Sequence, residues 1–121
     1  MQKSKIQNSH KYYANKFQKA QKLQQTGHLA EAERTYNEIL RDIPDNPDCI
    51  HFLGLLFFQK GELDKAETNY KRSIELAQNP TYLNNYALLA YHRKDYKKAV
   101  ELLQDSIKLK PNNAEAWYNL G

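Results

Sequence analysis

The sequence predicts an all-α protein built as a solenoid of antiparallel helix pairs, with no sheet. Three observations carry this. Apolar residues recur at helical spacing, so that Ile50, Leu53, Gly54 and Phe57 trace one face of a helix. The four glycines and four prolines are few and fall where helices would end. Small residues repeat at a fixed step: Ala32, Ala66 and Ala99 are 34 and 33 residues apart, and Ala20, Gly54, Ala87 and Gly121 step by 34, 33 and 34. A period of this length marks units that each bury their apolar face only by stacking on the next.

The elements follow in order. Residues 1–8 are polar and expected to fray, and a helix is expected from near Ser9 to about Gln25, with Tyr13, Phe17, Ala20 and Leu23 inward. Thr26-Gly27 ends it. A second helix presents Leu29, Ala32, Tyr36, Ile39 and Leu40, and stops before Pro44, which restricts the residue preceding it. Asp45-Asn46 caps the third helix, with Pro47 in its first turn, where a missing N–H costs nothing. That helix is apolar almost all round, from Ile50 to Phe58, as suits a central position or a binding surface. Gly61 separates it from a partner with Leu63, Ala66, Tyr70, Ser73 and Ile74 inward. Asn79-Pro80 restarts the cycle, with Leu83, Tyr86, Ala87 and Ala90 facing in, a turn at Lys94-Asp95, and Tyr96, Ala99, Leu103, Ser106 and Ile107 returning. After Pro111-Asn112-Asn113 one more helix opens at Ala114.

Composition narrows the function classes. Residues 1–25 carry six lysines and no acid, whereas the rest carries 12 basic and 14 acidic residues. The net charge of +4 therefore belongs to one helix, and does not describe a nucleic-acid surface across the domain. Its lysines read as the solvated face of a capping helix; binding that falls steeply with salt would mark the nucleic-acid reading instead. No apolar run approaches the ~18 residues of a membrane span, and no signal peptide is visible. Cys49 is the single cysteine, so no internal disulfide is expected, and the expected location is cytoplasmic. His10, His28, His51 and His92 fall in different units without ligand spacing. No metal, cofactor or catalytic residue is assigned, and the chain is not expected to be an enzyme.

The closing segment AEAWYNLG (Ala114–Gly121) and DYKKAVELLQDSIKLKPNN (Asp95–Asn113) resemble the two halves of a tetratricopeptide repeat (TPR). Numbered by that pattern, 1–12 is a polar, basic extension and 13–121 the repeat domain, with units 13–46, 47–79, 80–113 and a partial fourth, 114–121. Lys16 and Lys19 stand where the family is apolar, so the first unit reads as an N-terminal cap. The unfinished fourth unit suggests a fragment of a longer protein. It leaves Trp117 and Leu120 only partly covered, which makes self-association through the C-terminal helix an expectation.

The resemblance implies a right-handed superhelix whose first helices line a concave groove for a partner's peptide. Carried onto this chain, the groove positions are Phe17, Gln21, Gln24 and Gln25; His51, Leu55, Phe58 and Gln59; Asn84, Leu88, Tyr91 and His92; and Tyr118. This lining is apolar and amide-rich. A peptide with apolar anchors and few charges is therefore expected, and the resemblance does not identify the protein that supplies it. The family's chaperone-tail readers grip a carboxylate with Lys and Asn; Phe17, Gln21 and Phe52 replace that clamp here. Asn85 and Asn119 match an asparagine ladder found in O-linked N-acetylglucosamine transferases, although Gln18 and Phe52 interrupt it. The alternative reading is therefore the substrate-recruiting end of a longer glycosyltransferase.

Overall fold

The computed structural model describes residues 2–120, with side chains from residue 9 onward. The described residues form seven helices and no strand: α1 (Gln2–Gln25), α2 (Leu29–Asp42), α3 (Pro47–Gln59), α4 (Leu63–Leu76), α5 (Pro80–His92), α6 (Tyr96–Leu109) and α7 (Ala114–Leu120). The tightest packing is within α1–α2, α3–α4 and α5–α6. Each pair then leans on the next through α2 against α3, α4 against α5 and α6 against α7.

The turns inside the hairpins share one backbone device. Gly27 and Gly61 adopt φ of 85° and 80°, and Lys94 takes the same left-handed conformation at φ 66°. Each lets the amide just after it reach back to the preceding helix: His28 to the Leu23 carbonyl, Glu62 to Phe57 and Asp95 to Ala90, all at 2.8 Å. Between hairpins an asparagine starts each new helix. The side chains of Asn46, Asn79 and Asn113 accept from the backbone amides of Cys49, Thr81 and Ala116.

The small residues sit at close crossings. A Cβ at Gly54 would lie 3.0 Å from Asn69 Cβ and from the Tyr70 ring. Ala20, Ala32 and Ala66 are fully buried, and Ala87 and Ala99 nearly so; Gly121 lies outside the described residues. The core falls into two clusters. One gathers α1, α2 and α3 around Tyr36, Ile39 and Leu56, and the other gathers α4, α5 and α6 around Tyr70, Tyr86 and Leu89. Phe57 packs against both.

Two expectations change. The first helix starts at Gln2 rather than near Ser9. No Gly or Pro interrupts residues 1–25, Gln and Lys are good helix formers, and extending an existing helix needs no new nucleus. Tyr96 does not turn inward. It is 54% exposed and stands edge-on to Tyr91 at 5.3 Å, beside an open recess.

Candidate functional site: the wall of first helices

The residues assigned to the groove lie on the first helices of the hairpins, α1, α3, α5 and α7. Their fates diverge. Leu88 (42% exposed), Tyr91 (64%) and Tyr118 (85%) stand out into solvent. His92 is exposed as well, and Phe17, Gln21, Leu55, Phe58 and Asn85 are half-buried.

Gln24, His51 and Asn84 are buried, contrary to the sequence expectation of open groove positions; of the three, only Gln24 shows an edge, at the recess between α1 and α3. Gln24 is consumed by neighbours. Its Oε1 accepts from the Tyr36 hydroxyl at 2.6 Å, and its Nε2 donates to the Phe52 carbonyl and to Gln59 Oε1. His51 lies between two tyrosine rings, stacked on Tyr82 at 4.4 Å and on Tyr70 at 5.2 Å, with Phe52 edge-on. Asn85, the ladder candidate, spends its amide on His51: Nδ2 and Nε2 are 2.9 Å apart. Asn84 is 3% exposed, and its Oδ1 has no hydrogen-bond partner among the described residues.

Two residues missed by sequence reasoning complete this wall. The Tyr82 hydroxyl donates to Asp48 Oδ1, one turn along from the His51–Asn85 pair. Both contacts join residues 34 apart, so they fasten α3 to α5. The repeat period was the signal that pairs them.

Two open recesses flank the fastened region. The larger, about 420 Å3, lies among α5, α6 and α7 and is lined by Leu88, Tyr91, Tyr96, Val100, Leu103 and Tyr118, with no charged side chain. Val100 and Tyr96 were not assigned to the site. The available clue was that Val100 replaces the acidic Glu67 of the preceding unit. The smaller recess, about 100 Å3, lies between α1 and α3, among glutamines, Phe52 and Leu55. Between them Phe58 meets His92 edge-on at 5.5 Å.

The titratable groups of the core are held neutral. Burial lowers the His51 pKa to about 4 and pushes the Cys49 thiol up to about 12. It also raises the Tyr36, Tyr70 and Tyr82 hydroxyls well above their usual range. What the wall offers a ligand is apolar area and amide hydrogen bonds.

The tetratricopeptide repeat profile matches residues 48–112, more than half of the chain. The chain belongs to the tetratricopeptide repeat family. Among curated relatives, the photosystem I assembly protein Ycf3 of Rippkaea orientalis is 29% identical over 115 residues, covering 78% of this TPR chain and 66% of that protein. Among solved structures, the first TPR of Spaghetti (RPAP3) bound to the HSP90 peptide SRMEEVD superposes with a TM-score of 0.82 at 19% identity, covering 89% and 86% of the two chains. The Thermobaculum terrenum O-GlcNAc transferase superposes at 0.83 with 24% identity, over 89% of this chain and 21% of that one. At these identities the two structures share the TPR fold with this chain. The transferase alternative is not favoured: Asn85, the ladder residue, has its side-chain amide engaged by His51.

Proposed function

We propose that the chain is a non-catalytic interaction scaffold that holds a peptide segment of a partner protein along its wall of first helices. The observation that carries this reading is the uncharged 420 Å3 recess, where Leu88, Tyr91 and Tyr118 expose apolar surface beside Val100 and Leu103. Covering such side chains contributes roughly 1.5–3 kcal/mol each at best, before the cost of ordering the peptide. The wall is already fastened by Gln24, His51 and Asp48, so little of that cost falls on the receptor. Binding of the SRMEEVD peptide by a fold neighbour supports the mode of recognition. The ligand proposed here differs in chemistry, because neither open recess is lined by lysine or arginine.

The test is capture of partner proteins by the immobilised chain, followed by mass spectrometry, with Leu88→Lys and Tyr91→Ala as controls. Both are expected to remove the captured partners, and an unchanged set would reject the reading. An added SRMEEVD peptide is expected not to compete.

A second reading rests on the exposure of Trp117 (54%) and Tyr118 (85%): copies of the chain pair through α7. Light scattering that gives a monomer mass at every concentration would reject it. Among the described residues no helix is long and apolar enough to cross a membrane. The unpaired, buried Cys49 suits a reducing compartment such as the cytoplasm.

A further inference from the structure

The recess between α1 and α3 holds an amide whose orientation the fold determines. Gln24 is 5% exposed. Its Nε2 donates to the Phe52 carbonyl at 3.1 Å, and because a carbonyl only accepts, that contact decides which end of Gln24 is the NH2. The other end accepts from the Tyr36 hydroxyl at 2.6 Å. The second hydrogen of Nε2 then goes to Gln59 at 2.9 Å, so Gln59 must turn its oxygen toward Gln24. Its own Nε2 is directed away and takes no hydrogen bond among the described residues. Gln59 is exposed, and lines the recess together with half-buried Phe52 and Leu55.

We propose that this recess reads an uncharged, extended stretch of the bound peptide. A main-chain carbonyl accepts from Gln59 Nε2, and the neighbouring aliphatic side chain enters over Leu55 and Phe52. The inference rests on the groove reading above and names the chemistry of its ligand. Three facts favour this occupant. No lining residue carries a formal charge, so a carboxylate would lose hydration with no cation to meet it. A helix has already used its carbonyls internally, whereas those of an extended segment are free. The volume of about 100 Å3 is below the ~150 Å3 of a cavity that admits benzene, which suits a valine- or leucine-sized group.

The test selects short random peptides displayed on phage against the intact chain. Capped synthetic copies are then titrated by calorimetry against the wild type, Gln59→Glu, Leu55→Lys and Leu88→Lys. Gln59→Glu keeps the acceptor for Gln24 and removes the outward donors. Selected peptides are expected to carry an aliphatic residue among uncharged neighbours, and to lose about tenfold in affinity with Gln59→Glu. Replacing the amide at that residue with an ester, a weaker acceptor, is expected to weaken binding to the wild type but not to Gln59→Glu. Acidic anchors in the selected peptides, or full affinity with Gln59→Glu while Leu88→Lys abolishes binding, overturn the proposal and leave the groove standing. Capture of no peptide at all removes both.

Discussion

At the residue scale, His51 shows how the interior sets a titration. Its ring is fully buried between Tyr70 and Tyr82, and Nδ1 has no partner among the described residues. The native pKa is lowered to about 4 from the ordinary 6.5, so the folded state favours the neutral ring. Its contribution to stability is complete above about pH 6.5 and is lost as pH falls toward 4, by up to roughly 3 kcal/mol. His51→Phe keeps a ring in the stack and removes the titration. Its urea midpoint is expected to fall less between pH 7 and about pH 4.5 than that of the wild type, with the carboxylates titrating equally in both. Equal losses would reject the assignment. Lys94 offers the opposite case, a side chain at φ 66° where the two matching turns use glycine. Lys94→Gly relieves the Cβ crowding and is expected to stabilise by roughly 0.5–1 kcal/mol, read as a melting point higher by about 3 °C.

At the scale of elements, each new hairpin depends on the asparagine that opens it. Asn113 does two things: its Oδ1 accepts from the Ala116 amide, and its Nδ2 donates to Ser106 Oγ at 3.0 Å. Ser106 is fully buried and in turn donates to the Pro80 carbonyl, so one polar chain joins α5, α6 and α7. Asn113→Ala is expected to cost about 1–2 kcal/mol and to speed amide exchange in α7 far more than in α3 and α4. Uniform acceleration would show that α7 is not held this way. Caps and turns such as Asn46, Asn79 and Gly61 were legible in the sequence because they act within a few residues of themselves. The start of α1 was not, because a polar run without Gly or Pro carries no apolar pattern to mark it. The candidate site was legible only as a face. Repeat position placed Leu88, Tyr91 and Tyr118 on that face, and they are exposed. It also placed Gln24 and His51 there, and whether a neighbour covers them depends on partners 34 or 35 residues away. The repeat period brings such positions side by side but does not show which side chain closes over which.

For the whole molecule, the question is how strongly hairpins in a linear stack unfold together. In a solenoid, cooperativity is set by the interface between adjacent units relative to the stability of each unit. Phe57 on α3 is packed against both core clusters, with Lys65 Nζ 5.5 Å from its ring centroid. Phe57→Ala removes that shared side chain and leaves the helix backbone and its caps in place. Its ring is half-buried, so the expected loss is near the lower end of the core Phe→Ala range, about 3 kcal/mol. The more telling effect is on the shape of the transition. Trp117, the only tryptophan, reports from α7 beside the second cluster, whereas far-ultraviolet circular dichroism reports on every helix. In the wild type the two signals are expected to coincide on urea unfolding, as a two-state domain requires. In Phe57→Ala the circular dichroism should begin to fall at lower urea than the fluorescence, as α1 and α2 come away while the second cluster persists. Coincident curves in the variant would mean that α1 and α2 are held to α3 mainly through other contacts, such as those of Gln24 with Phe52 and Gln59, and that the packing at Phe57 is secondary.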